Sequence, residues 1–254
     1  MKQSVIIIPV HNQVDYLKVC VASVYEKTTD PKVIIIDDGS TDKETSQWID
    51  NNKKHYGYEI IRHKTPLGFS IACNDGIIYA LNHYDFTVLC LLNSDTEINT
   101  ERWFRKVECF FENGDKIGTA SVMSDNALAQ TVNNTNLYLK TIQTKPTVYT
   151  ILPHGFCYFI SKELIEEIGT FDEVMFPHYG SEDDYSLSSI KAGFKNLLIG
   201  SVFVHHENNK SYTEKQRTMH VSKSVPALKK KWGQGYVNRA GVYSNKAANY
   251  IKRK

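Results

Sequence analysis

Apolar residues gather into short β-branched runs that end in turn chemistry, at residues 5–9, 33–37, 58–62, 87–92 and 118–123, and each run predicts a strand. Between the first two, Val14, Leu17, Val21 and Val24 recur at helical spacing before Asp30-Pro31 breaks the chain, which makes a βαβ unit. The turn Asp38-Gly39-Ser40-Thr41-Asp42 then opens a helix running to about Tyr56, with Thr41 and Glu44 at capping-box spacing. Runs buried on both faces and joined by helices predict an α/β fold: a Rossmann-like, mostly parallel sheet with helices on both faces. Ligands in such sheets bind beyond the carboxyl ends of the strands, which singles out the loops at 11–12, 37–42, 63–69 and 93–97.

Past residue 98 the pattern loosens. A helix is expected over 101–112, and the polar stretch 124–136, with Asn126, Gln130, Asn133, Asn134 and Asn136, reads as a long loop over the sheet. Beyond Pro226, Lys229-Lys230-Lys231-Trp232-Gly233 and residues 246–254 read as a basic appendage, and Trp103 and Trp232 as core residues.

Composition narrows the class. With 254 residues, 41% hydrophobic and 23% charged, the chain suits one large α/β domain and excludes disordered and fibrous classes. Thirty Lys and Arg against 28 Asp and Glu leave a charge of +2, too little for nucleic acid binding by bulk electrostatics. Five cysteines without a C-x-x-C pair argue against a disulfide framework or zinc ribbon and for a reducing, cytoplasmic setting. The apolar run at 5–10 is too short for a signal-peptide core, and none approaches the roughly 20 residues of a membrane span.

Four constellations carry chemistry. Asn93, Ser94 and Asp95 end an apolar run; the spacing fits both an Asx turn and a site where Asp95 holds a hard divalent cation. Glu182, Asp183 and Asp184 open a helical pattern, where the helix dipole favours acids, yet three in a row also raise one another's pKa toward general-base work. His205 and His206 end an apolar strand and point to opposite faces, so only one reaches a given metal. Asp37 and Asp38 end the second strand, where a carboxylate can accept hydrogen bonds from a base or ribose.

In order along most of the chain, these motifs resemble the inverting nucleotide-sugar glycosyltransferases of family 2, which have the GT-A fold. The carriers are residues 6–12, the turn 36–42, Pro66-Leu67-Gly68-Phe69-Ser70 with Asn74 and Gly76, and Asn93-Ser94-Asp95 at the DXD position. Gly155-Phe156-Cys157, residues 169–173, the acid cluster and Ala192-Gly193 resemble rhamnosyltransferase-like members that extend bacterial surface polysaccharides. The resemblance implies a single domain over 1–225, with a donor half (1–98) and an acceptor half (99–225), and the appendage at 226–254.

It further implies donor contacts from Pro9, Val10, His11, Asn12, Asp37, Asp38, Gly68, Asn74, Asn93, Ser94 and Asp95. Mn2+ or Mg2+ would sit on Asp95 with His206 or His205; Ser211 follows His206 at the family's spacing and favours His206. Asn93 replaces the first Asp of DXD, leaving Asp95 as that motif's carboxylate. Counting back from Gly193 makes Asp184 the base, counting forward from Glu182 favours Asp183, and Asp184 is preferred. Asp37 beside a pyrimidine edge would favour a UDP- or dTDP-sugar. The acceptor is expected to be a hydroxyl of a glycan or a lipid-linked glycan, near the loop at 124–136; the basic tail reads either as a solvated terminus or as a contact with anionic lipid at the inner face of the membrane. The rival is a GT-A-like module that binds nucleotide sugar or glycan without catalysis. Redox and P-loop chemistry lack their glycine-rich phosphate cradles.

Overall fold

A computed structural model describes residues 2–113, 115–125, 147–207 and 214–233. The loop asparagines expected near the acceptor, Ser211 and the basic stretch 246–254 lie outside the described residues.

Strands β1 (Val5–Val10), β2 (Lys32–Asp37), β3 (Glu59–Arg62) and β4 (Val88–Leu92) pair in parallel, in the spatial order β3-β2-β1-β4. Helices α1 (Val14–Lys27), α2 (Lys43–Tyr56) and α3 (Phe69–His83) make the crossovers. Alternation along β1 explains why the sheet needs two covers. Ile6 and Ile8 pack with Leu17 and Val21 of α1 and Ile49 of α2, whereas Val5 and Ile7 pack with Ala72 and Ile77 of α3. Pro9 is tolerated because Val10 turns its carbonyl to Asp38 on the β2 side, so Pro9 faces the β4 side, where pairing has stopped at Ile7.

The second half reverses direction. Strand β8 (Cys157–Ser161) runs antiparallel to β4 and to β6 (Ile117–Met123), and β9 (Lys195–His206) lies parallel to β6. Two short strands join β9 antiparallel: β5 (Thr96–Ile98) and β7 (Thr147–Thr150). Helix α4 (Trp103–Glu112) buries Trp103, Phe104 and Val107 on the α1 face, and α5 (Lys162–Ile168) buries Leu164 and Ile165 on the α3 face. Cys20, Cys73, Cys90 and Cys157 are buried as free thiols.

Helices α6 (Ser181–Lys191) and α7 (Glu214–Trp232) share a third core with Ile151, Leu152, Phe176, Leu187, Ile190, Leu228 and Trp232. The expected boundary between 225 and 226 therefore falls inside a helix, which continues through Pro226 and buries Trp232. No described helix is long and apolar enough to cross a membrane.

Candidate active site

At the carboxyl ends of β1 and β2, the loops close on one another. His11 donates from Nδ1 to the Asp38 carbonyl at 2.8 Å, and Asn12 Oδ1 accepts the backbone N–H groups of Thr41 and Asp42 at 2.7 and 3.0 Å. Because Asn12 claims Thr41, the cap of α2 is Asp42, whose carboxylate accepts the Thr45 N–H, and the expected capping box of Thr41 and Glu44 does not form.

Asp37 is only 1% exposed. One oxygen accepts the Ser40 N–H at 3.0 Å; the other accepts Arg62 Nε at 2.9 Å and the Ser46 hydroxyl at 3.3 Å. Burial alone would raise its pKa, but the Ser40 hydrogen bonds and the Arg62 guanidinium outweigh burial and hold it below the usual value. Asp38 is likewise enclosed, accepting N–H groups from Leu67 and Gly68 and facing His63, whose other ring nitrogen meets Asp75 at 2.9 Å. Of these acids, expected at the donor, Asp37 ties the β2 turn to α2 and β3, and Asp38 ties it to the loop before α3.

Asn74 is likewise engaged by the protein. Its amide donates to the Phe171 carbonyl and to Glu173, and its oxygen accepts the Phe171 N–H. Its place on α3, facing the segment at 171–173, makes it a clamp between the two. Pro9 and Val10 are buried in the strand, and Val10 belongs to the core.

The loop after β4 behaves differently. Antiparallel pairing of β5 with β9 sets Thr96 opposite His206 and Glu97 opposite His205, and Glu207 N–H donates to the Asp95 carbonyl. His206 Nε2 thereby comes to 3.3 Å from Asp95 Oδ1 and 3.5 Å from Asn93 Nδ2. Its ring stacks on Phe156, centroids 5.0 Å apart, and Nδ1 is buried without a hydrogen-bond partner among the described residues. His205 points to the other face, between Asp125 and Glu207, so of the two alternatives His206 is the one that faces Asp95, as strand alternation requires. A buried carboxylate oxygen facing an imidazole nitrogen suits a divalent cation of the Mn2+ or Mg2+ type. Among the described residues no group of three or more His, Cys, Asp or Glu is arranged to hold a metal ion, so such an ion would need further oxygens from its ligand.

The acid cluster opens α6 at Gly180, with φ of +88°. Asp184 is buried, and both its oxygens are engaged: Trp232 Nε1 donates to Oδ1 at 2.7 Å and Lys231 Nζ to Oδ2 at 2.9 Å. Burial raises its pKa despite these partners. Two residues apart on a helix, side chains diverge by about 200°, so Glu182 projects away from Asp184. It remains part-exposed, and a Cβ on Gly155 would lie 3.2 Å from its Oε1. The next residue, Phe156, stacks on His206 and accepts the Asn93 N–H at 2.9 Å. Of the three acids Glu182 is thus the one that lies against Gly155, next in the chain to the residue that meets His206 and Asn93, while Asp183 is buried within the helix. Sequence alone did not select Phe156, His63, Lys231 or Trp232 for the site. Lys231 is visible in the sequence only as part of a charge run, and Trp232 only as a core residue.

A family model described as "Glycosyl transferase family 2" matches residues 5–169. The chain is 23% identical over 221 residues to the "Uncharacterized glycosyltransferase EpsJ" of Bacillus subtilis, covering 82% of this chain and 62% of that protein, so it spans less than two thirds of that relative. Among solved structures, mannosyltransferase PcManGT from Pyrobaculum calidifontis, in complex with GDP-Man and Mn2+, superposes with a TM-score of 0.68 at 14% identity, over 99% of this chain and 69% of that one. GalNAc-T7 with UDP, GalNAc and Mn2+ gives 0.71 at 16% identity, over 92% and 50%. These similarities show the GT-A fold.

Proposed function

Because the chain belongs to glycosyl transferase family 2, we propose that it moves a sugar from a nucleoside-diphosphate donor to an acceptor hydroxyl with inversion. The observation that carries this reading is the convergence of Asp95 and His206 at 3.3 Å beyond the carboxyl end of β4, with Glu182 against Gly155, the neighbour of the Phe156 that stacks on His206. Both solved relatives named above hold a nucleotide and Mn2+, which supports the same ligand class here. Asp95 and His206 would hold the cation, which when bound offsets the charge on the departing diphosphate.

Glu182 takes the proton from the acceptor hydroxyl as its oxygen bonds to the anomeric carbon and the bond from that carbon to the diphosphate breaks on the opposite side. Inversion follows from that single displacement. Asp184 was the base favoured by motif counting; Lys231 and Trp232 occupy both its oxygens, so the role passes to Glu182. Preference for a UDP- or dTDP-sugar rested on Asp37, which is enclosed, so the base of the nucleotide is left to the test. The acceptor class proposed is a glycan or lipid-linked glycan hydroxyl.

A thermal-shift panel of UDP, dTDP and GDP and their sugars, with and without Mn2+, tests the reading; a ligand at 100 times its Kd stabilises by about 2.7 kcal/mol. The expected result is a metal-dependent shift with one nucleotide, lost in Asp95→Ala and His206→Ala. A shift without donor hydrolysis or transfer would favour a binding module, and no shift with any nucleotide would overturn the donor site.

A further inference from the structure

We propose that Lys231 and Trp232, the last two residues of α7, are positioning residues for the reaction: they lock Asp184 onto α7 and thereby fix the first turn of α6, which presents Glu182. The inference rests on the glycosyl-transfer reading and deepens it. Three features of the docking site meet at this turn. Lys231 bridges Asp184 and Asp172 at 2.9 and 3.3 Å, and Asp172 lies in the segment that Asn74 of α3 holds. Trp232 donates its indole N–H to the other Asp184 oxygen while its ring completes the small core with Phe176, Leu187 and Ile190.

Gly180 supplies the third feature. A Cβ there would lie 3.2 Å from Ser224 Cβ and 3.3 Å from Leu228 Cδ1, so α7 rests directly on the residue that starts α6. Asp184 N–H donates to the Gly180 carbonyl, which closes the first helical turn around Glu182.

The electrostatic consequence follows from the same contacts. An uncompensated Asp184 would place a second negative charge two residues from the candidate base. It would also leave a buried carboxylate without its cation, a cost relieved by movement of the turn or by uptake of a proton, either of which loosens the bond to α7. Lys231 removes that charge, and Trp232 occupies the oxygen that Lys231 does not reach. The divergence of Glu182 and Asp184 around the helix then means that fastening one aims the other.

The test compares wild type, Lys231→Met, Lys231→Arg and Trp232→Phe in donor hydrolysis or transfer, alongside Mn2+-dependent binding of the nucleoside diphosphates by thermal shift. Lys231→Met is expected to lower kcat about tenfold or more while donor KM stays within about twofold, because aim rather than donor affinity is lost. Lys231→Arg, which keeps the cation, is expected to recover most of kcat, and Trp232→Phe, which keeps the ring but loses the N–H, to fall between. Parallel loss of nucleotide binding and kcat, or no recovery with Arg, would overturn the proposal in favour of a role in folding alone. Unchanged kcat in Lys231→Met would overturn it as well. A wild type that binds no nucleotide sinks the transfer reading; in that case unchanged amide exchange over 180–187 in Lys231→Met would sink the clamp independently.

Discussion

At the residue scale, the acids at the start of α6 separate by what each touches. Glu182→Gln is expected to lower kcat by roughly 10²-fold or more, the usual scale of lost general-base catalysis, while Mn2+-dependent nucleotide binding persists. Asp184→Asn keeps an oxygen for Trp232 but loses the ion pair with Lys231, so it is expected to cost less in kcat than Glu182→Gln and to lower the melting temperature. A steady-state comparison of the two variants decides which is the base. Asn74 provides a contrasting case. Asn74→Ala removes three hydrogen bonds to the segment at 171–173 and is expected to cost about 1–3 kcal/mol in urea unfolding, with nucleotide affinity nearly unchanged. The polar types at these positions were legible in the sequence; their partners were not, because Asn74 meets Phe171 and Asp184 meets Trp232 only through the fold.

At the element scale, helix ends show how local rules and tertiary contacts compete. Asp42→Ala should cost about 0.5–2 kcal/mol by removing the cap on α2, whereas Glu44→Ala should change urea stability little, since Asp42 rather than Thr41 serves as the cap. Gly180 joins two constraints: φ is +88°, and a methyl would press on Ser224 and Leu228 of α7 at 3.2 and 3.3 Å. Gly180→Ala is expected to destabilise by about 1–3 kcal/mol and to lower kcat more than nucleotide affinity, a difference that paired unfolding and kinetic measurements would detect. The strand runs at β1, β2 and β4 were read from periodicity because both faces of the parallel sheet are buried. Strand β5, three residues long, carries too little pattern to be seen, and its pairing with β9 is what brings His206 to Asp95.

At the scale of the whole molecule, the pH dependence of stability is set by groups that join separate loops. His63 lies between Asp38 and Asp75; burial would lower its pKa, but the two carboxylates raise it above 6.5. A raised folded-state value means that this stabilisation is complete below about pH 6.5 and declines as pH climbs through the folded pKa. Asp37, held low, acts in the opposite sense: its contribution is present above the unfolded value of 3.8 and is lost as pH falls through its folded pKa. Melting temperature should therefore decline on both flanks, and His63→Gln should flatten the alkaline flank while leaving the acid one. Sequence by itself determined the α/β class, the βαβ start, the loops at the strand ends and the residue types available for chemistry, because these follow from hydrophobic period and turn chemistry within a few neighbours. Only the tertiary structure decided which side chains are spent on holding loops together and which meet as the Asp95 and His206 pair. The partners of Asn74, Asp184 and His206 lie 97, 48 and 113 residues away along the chain, a range over which local pattern carries no information and only packing chooses.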